Sequence, residues 1–239
     1  VSANLNEVEL EAVQLTPYFQ IPVLEVLKKV KDTTKLIFIC SPNNPTGNSI
    51  DPESIETILD NFDGLVVLDE AYIDFAENTS WTTRLDEFPN LVVLQTFSKA
   101  WGMAGLRLGM AFASEEIIAL LDKIKPPYNI NEATQGLAFN ALQHTEELAY
   151  MIEEIVQERE MLTQALPTLE VVEKVYPSDA NFLLVKVKDA NGLYTYLLEK
   201  GIVVRNRSSL PGCEGCLRIS IGTTEENQQL FRAIADFKI

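Results

Sequence analysis

The sequence predicts an α/β protein whose larger part is a mostly parallel sheet with helices on both faces, followed by a small C-terminal α+β unit. Two observations carry this expectation. Continuous apolar runs, Leu36-Ile-Phe-Ile-Cys40, Leu65-Val-Val-Leu68 and Leu91-Val-Val-Leu94, alternate with amphipathic segments. A strand covered by helices on both sides shows such a run because neither side meets water. Beyond Pro167 the elements become shorter and closer together. The division this implies is a large domain at 1–144 and a small one at 145–239, with 145–166 as a long bridging helix.

In order along the chain, Glu9-Leu-Glu-Ala-Val-Gln-Leu15 reads as a short strand, and the spacing of Val23, Leu24, Val26, Leu27 and Val30 as a helix. After the first apolar run, Asp51-Pro-Glu opens an amphipathic stretch to Asp60, the pattern of a helix capped by aspartate with proline in its first turn. Leu108 to Ala113 is a fourth strand. Glu115 to Ile124 and Glu132 to Gln143 read as helices separated by Lys125-Pro-Pro-Tyr-Asn129. From 145 to 166, Leu148, Met151, Ile152, Ile155, Val156, Leu162 and Leu166 keep a helical period. Short strands follow at Val171-Val172, Asn181–Val187, Ile202–Arg205 and Leu217–Ile221, with helices near Leu193 to Lys200 and from Glu225 to about Phe237.

Composition narrows the function classes. The chain has 239 residues, is 46% hydrophobic and carries 35 acidic against 19 basic side chains, a formal net charge of -16. That balance argues against nucleic acid or an anionic membrane as the main partner. No apolar stretch approaches the roughly 20 residues of a membrane span. Three cysteines, Cys40, Cys213 and Cys216, are too few and too unevenly spaced for a disulfide framework, so a reduced, cytoplasmic protein is expected. Cys213-Glu-Gly-Cys216 has the spacing of a metal or redox pair, but no second pair accompanies it. The single histidine, His144, lies between two helical patterns, which argues against a Ser-His-Asp hydrolase.

The polar residues follow the strands. Cys40 gives way to Ser41-Pro-Asn-Asn-Pro-Thr-Gly47, Leu68 to Asp69-Glu-Ala-Tyr72, and Leu94 to Gln95-Thr-Phe-Ser-Lys99. In an open α/β sheet ligands bind at the carboxyl ends of the strands, so three segments converge on one crevice. It would hold an amide, a carboxylate, a phenol, hydroxyls, an amine and the guanidinium of Arg107. Each has a plainer reading when taken alone: Asn-Pro and Gly are turn punctuation, an aspartate after a strand is a cap, and a lysine is a surface charge. As a set they suit a cofactor with a carbonyl, a basic ring nitrogen and a phosphate.

The motifs Ser41–Gly47, Asp69-Glu-Ala-Tyr-Ile-Asp-Phe75 and Thr96-Phe-Ser-Lys-Ala-Trp-Gly-Met-Ala-Gly-Leu-Arg-Leu-Gly109 resemble, in order and separation, the class I/II pyridoxal-phosphate aminotransferases of fold type I. Gly201-Ile-Val-Val-Arg205 and Gly215-Cys-Leu-Arg-Ile219 place the resemblance on the histidinol-phosphate branch. The resemblance implies pyridoxal 5'-phosphate as cofactor, with Lys99 as its attachment point and carrier of the substrate α-proton. That work requires a neutral amine, which a nearby cation and partial desolvation favour. It further implies Asp69 at the pyridine nitrogen, Tyr72 and Asn44 at the ring oxygen, and Ser98, Arg107 and Thr96 at the phosphate.

The same resemblance assigns Arg218 and Arg205 to the substrate, with histidinol phosphate as one partner and glutamate or 2-oxoglutarate as the other. Alternation along Val203-Val-Arg205 and Leu217-Arg-Ile219 allows both arginines to share one sheet face, while Arg207 is expected outside the site. Family members are homodimers, so a homodimer is expected. An N-terminal arm, a small-residue phosphate-binding segment and a ring-stacking aromatic that the family carries earlier have no counterpart here, so the large domain is expected to be N-terminally truncated. The alternatives are another type I enzyme, such as an aromatic aminotransferase or threonine-phosphate decarboxylase, and an inert fragment.

Overall fold

The computed structural model describes residues 2–238. A single helical turn, α1 (Ser2–Leu5), is followed by α2 (Val23–Lys29). Residues 9–15, expected as a strand, form none. No neighbouring strand offers them a ladder; ion pairs from Glu11 to Lys29 and Glu9 to Lys31 tie them to α2 and its end. Of their apolar residues, Leu15 packs against the small cluster of Phe19, Leu184, Cys213 and Cys216.

The three apolar runs form parallel strands β1 (Leu36–Cys40), β2 (Leu65–Asp69) and β3 (Leu91–Thr96), and β4 (Gly109–Ala113) completes the sheet antiparallel to β3. Between β1 and β2 runs α3 (Pro52–Asp60), whose N-terminus is capped as expected: Asp51 Oδ1 accepts from Glu53 N at 3.1 Å. This cap satisfies a backbone donor that the first helical turn otherwise leaves open. Ile55, Ile58 and Leu59 of α3 bury against Ile39, Val66, Leu68, Leu91 and Val93. On the opposite face of β1, Leu36 and Phe38 are exposed by 47% and 65%.

Helices α4 (Glu115–Ile124) and α5 (Glu132–Ala141) lead to α6 (Thr145–Ala165), the longest element. His144 stands at its start, exposed, with Nδ1 3.2 Å from Glu147 Oε1. A second, wholly antiparallel sheet follows, made of β5 (Val172–Val175), β6 (Phe182–Val187), β7 (Arg205–Asn206) and β8 (Cys216–Ser220), in the order β5-β6-β8-β7. Helix α7 (Ala190–Glu199) separates β6 from β7, and α8 (Thr224–Asp236) follows β8. The strand expected from Ile202 shrinks to two residues because the chain there is still ending α7. Gly201 at φ +78° reverses the helix, Gly201 N donates to Leu198 O, and Ile202 N donates to Leu197 O at 2.8 Å, the paired bonds of a Schellman stop.

Alternation gives this second sheet two unlike faces. Leu183, Val185, Leu217 and Ile219 pack against Leu162, Leu193, Leu197, Leu230 and Ile234 of the three helices. Phe182 and Arg218 lie on the other face, and the Phe182 ring meets Tyr72 edge-on at 5.2 Å between centroids. Of two neighbours on α6, Arg159 joins the halves of the chain and Glu158 holds the C-terminal helix. Buried Arg159 donates from Nη1 to Phe75 O and Ala180 O, both at 3.0 Å. Buried Glu158 accepts from Thr224 Oγ1 at 2.5 Å and Asn227 Nδ2 at 2.7 Å, holding α8. Burial favours the uncharged form of Arg159, against nearby Asp179, Glu160 and Glu77. Among the described residues no helix is long and apolar enough to cross a membrane.

Candidate active site

Each strand of the parallel sheet ends on a different piece of chemistry. After β1, the segment Ser41–Gly47 closes on itself: Ser41 N donates to Asp69 O at 3.0 Å, Gly47 N to Asn43 O at 2.7 Å, and Asn43 Nδ2 to Thr46 Oγ1 at 2.7 Å. The peptides before Pro42 and Pro45 are cis. Gly47, at φ +85°, is needed here, because a Cβ would lie 2.4 Å from Ser178 Oγ. The knotted turn leaves the Asn44 side chain projecting. Asn44 Oδ1 accepts from Arg218 Nη1 at 2.9 Å, and Asn44 Nδ2 reaches Tyr72 OH at 3.5 Å.

After β2, Asp69 pairs in register with Cys40 on one side and Leu94 on the other. Its Oδ1 accepts from Ala71 N at 2.9 Å, which turns the chain and leaves Oδ2 open to a donor. Cys40 is exposed at its strand end, yet the protein packed round its sulfur and the adjacent Asp69 carboxylate push the thiol up to about 11. Glu70 points the other way and is buried. It accepts from Ser80 Oγ at 2.6 Å, Trp81 N at 2.8 Å and Gln95 Nε2 at 2.9 Å, so it ties β2, β3 and the following loop together. Tyr72, also buried, ends this segment.

After β3, Thr96 Oγ1 donates to Leu108 O at 3.2 Å and accepts from Ser98 N at 3.0 Å. Gly102 N to Lys99 O and Met103 N to Phe97 O close the turn. Lys99 is half-buried, with Nζ 5.0 Å from the Tyr72 ring centroid, and the amine has no hydrogen-bond or ion-pair partner among the described residues. Arg107 adopts a left-handed φ of 53° at the end of the same turn, exposed, and donates to Ala104 O at 3.0 Å.

Of the residues singled out from sequence, Lys99, Tyr72, Asn44 and Arg218 therefore form one contiguous chain of contacts, although Asn44 and Arg218 are 174 positions apart. Asp69 sits beside them at its strand end. Thr96 and Ser98 lie at the base of the Lys99 turn. Arg107 is joined to its own turn rather than to that chain by hydrogen bonding. Arg205 lies directly opposite Arg218 in the β7–β8 ladder, so the two share a face.

Three participants were missed. Phe182 stacks under the Arg218 guanidinium at 5.0 Å while also touching Tyr72; its strand was legible, its partner was not. Buried Glu70 and half-buried Gln95 form a polar pair that no local pattern announces. Arg218 itself is half-buried: burial first, then repulsion from Arg207 and Arg205, favours loss of its proton, against the attraction of Tyr72. The amine, the open carboxylate oxygen, the phenol, the amide and the guanidinium fit a group that presents a carbonyl, a protonated ring nitrogen, an acidic oxygen and an anion.

A mostly parallel α/β sheet with this set at its carboxyl edge, faced by an antiparallel sheet bearing a guanidinium, defines an enzyme of fold type I. The chain belongs to the aminotransferase class I and II family, whose model matches residues 1–234. It is 52% identical over 234 residues to the histidinol-phosphate aminotransferase of Flavobacterium psychrophilum, covering 98% of this chain and 67% of that protein. It is likewise 52% identical over 239 residues to the enzyme of the same name from Parabacteroides distasonis, covering 100% of this chain and 69% of the relative. Among solved structures, the histidinol-phosphate aminotransferase of Clostridium acetobutylicum superimposes with a TM-score of 0.89 at 25% identity, covering 98% of this chain and 72% of that one. The chain thus spans about two thirds of the length of the curated relatives it matches.

Proposed function

We propose that this chain carries the cofactor-anchoring and substrate-recognising parts of a pyridoxal-phosphate-dependent aminotransferase that acts on L-histidinol phosphate with 2-oxoglutarate, in histidine biosynthesis. The observation that supports it most directly is the contact chain Lys99–Tyr72–Asn44–Arg218, which sets an unpaired amine and a guanidinium on either side of a phenol and an amide. The relatives at about half identity carry the same reaction in their names.

Bound pyridoxal phosphate supplies an electron-withdrawing ring that accepts the electrons left when the substrate α-proton departs. The protein's own residues do the rest. Lys99 Nζ would be the attachment point of the cofactor and would hold or move the proton at the substrate α-carbon; among the described residues no acid competes for it. Asp69 Oδ2 holds the ring N–H, and a carboxylate there keeps that nitrogen protonated. Tyr72 OH and Asn44 Nδ2 donate to the ring oxygen. Ser98 and Arg107 hold the cofactor phosphate, and Thr96, whose hydroxyl is engaged at both ends, positions the Ser98 backbone.

Arg218 and Arg205 take the phosphate of histidinol phosphate, and Arg218 takes a carboxylate of glutamate in the other half-reaction. Arginine suits both because its fork meets two oxygens at once. The reading includes a cytoplasmic homodimer with no nucleic-acid or membrane partner, and a division into a large domain at 1–144 and a small one at 145–239. Borohydride reduction after addition of pyridoxal phosphate, followed by peptide mapping, tests the anchor: label on Lys99 is expected, and label on another lysine refutes it. Absence of any label would mark the chain as an inert fragment. Lys99→Ala is expected to abolish transamination without lowering the thermal midpoint, and turnover with threonine phosphate in place of histidinol phosphate would overturn the substrate assignment.

A further inference from the structure

Three guanidinium groups meet on one face of the antiparallel sheet, and none is paired with an acid among the described residues. Arg205 lies opposite Arg218 in the ladder, and the ladder continues with Arg207 N donating to Cys216 O at 2.9 Å. Arg207 is therefore two positions along from Arg205 and diagonal to Arg218, on the same side of the pleat. The chain carries 35 acidic side chains and a net charge of -16, yet the ion pairs among the described residues all lie elsewhere. Among the described residues five buried side-chain polar atoms are without a partner, and Arg207 Nε, Ser208 Oγ and Arg218 Nε are three of them. Clustered like charges with shielded, unused donors are unfavourable unless an anion shares them.

We propose that Arg207 is a specificity-determining residue of the substrate site, the third guanidinium of a cluster that selects a phosphate dianion over a carboxylate. The inference rests on the reading of a phosphorylated substrate given above and adds a residue that was expected, as part of a solvated strand end, to lie outside the site. Its logic is one of charge. Two arginines already give a carboxylate two forks, but each further fixed cation attracts a dianion about twice as strongly as a monoanion. Arg205 is exposed, so water screens it; Arg207 is half-buried with its Nε shielded, and its charge acts with less screening. Arg218 cannot adapt alone, because Nη1 is held by Asn44 and its plane lies over the Phe182 ring.

Calorimetric titration of the 239-residue protein with histidinol phosphate, histidinol and glutamate, in parent, Arg207→Gln and Arg207→Lys forms, tests this. Arg207→Gln should weaken histidinol phosphate by about tenfold while leaving histidinol and glutamate within about twofold, and Arg207→Lys should recover part of the loss. The parent-to-variant ratio should also shrink as pH falls through about 6, where the phosphate loses its second charge. A merely structural role would not follow that pH dependence. A parent that prefers histidinol phosphate to histidinol, with Arg207→Gln retaining the preference, overturns the role of Arg207 and leaves the proposed function standing. Equal loss for glutamate overturns the selectivity. A parent with no preference for the phosphorylated ligand overturns the phosphate site as a whole.

Discussion

Replacing Arg159 by leucine removes a side chain that hydrogen-bonds at once to the loop after β2 and the segment leading into β6. Its Nη1 serves Phe75 O and Ala180 O at 3.0 Å each, in a position buried to 7% exposure. A hydrogen bond from a charged donor contributes about 1.5–3 kcal/mol, and a buried carbonyl left without a donor costs about 1–3 kcal/mol. Against this, the leucine no longer has to keep a buried charge, and burial already disfavours the guanidinium in the native state. The net loss for two carbonyls is about 2–4 kcal/mol, which for a chain of this length lowers the thermal midpoint by roughly 4–16 °C. Circular dichroism melts and urea titrations of parent, Arg159→Leu and Arg159→Lys measure it, with Arg159→Lys in between because an ammonium can reach one carbonyl. A leucine variant melting within about 2 °C of the parent would refute the claim that this bond pins α6 to both halves.

Two other perturbations probe the edge of the parallel sheet. Gly47→Ala must place a methyl where Ser178 Oγ lies 2.4 Å away, at a φ of +85° that alanine resists, so a loss of about 1–3 kcal/mol is expected together with a displaced Asn44; a melt unchanged from the parent would count against the strained turn. Cys40 is exposed, but with its thiol pushed up to about 11 by partial desolvation and by Asp69 it stays mostly protonated, and so slow to alkylate, until high pH. Iodoacetamide labelling should still be accelerating beyond pH 9.5 and should shift to lower pH in Asp69→Asn, whereas a rate that levels off around the ordinary thiol value of about 8.5 refutes the adjacency.

The parallel sheet was legible because its strands are buried runs bounded by turns, and position at the carboxyl ends then ordered Asn44, Asp69, Tyr72 and Lys99 without any tertiary information. What failed was local pattern without a partner. The alternation at Glu9–Leu15 is real, but a strand exists only through a neighbour's ladder, and these residues enter neither sheet. Ile202–Arg205 reads as β because it is branched and apolar, yet its first residues are committed to ending α7. Phe182, Glu70 and Gln95 were invisible for a related reason: their meaning lies in contacts that link distant segments, which periodicity does not encode.

The Asn44 amide shows how such a long-range contact orders the site. Either end of an amide can turn toward either neighbour, but a guanidinium has only donors, so Arg218 Nη1 at 2.9 Å obliges Oδ1 to face it. That choice turns the NH2 end of Asn44 toward Tyr72 OH, where the separation of 3.5 Å is at the long limit of a hydrogen bond. Two groups able to donate thus converge on a gap that neither fills well, the arrangement an acidic ligand oxygen completes by accepting from both. Arg218 stands 174 positions from Asn44 in the chain. Through that one bond, the arginine assigned to substrate on the antiparallel sheet also orients a donor assigned to cofactor on the parallel one, so the two binding functions depend on the same docking of the sheets that Arg159 holds.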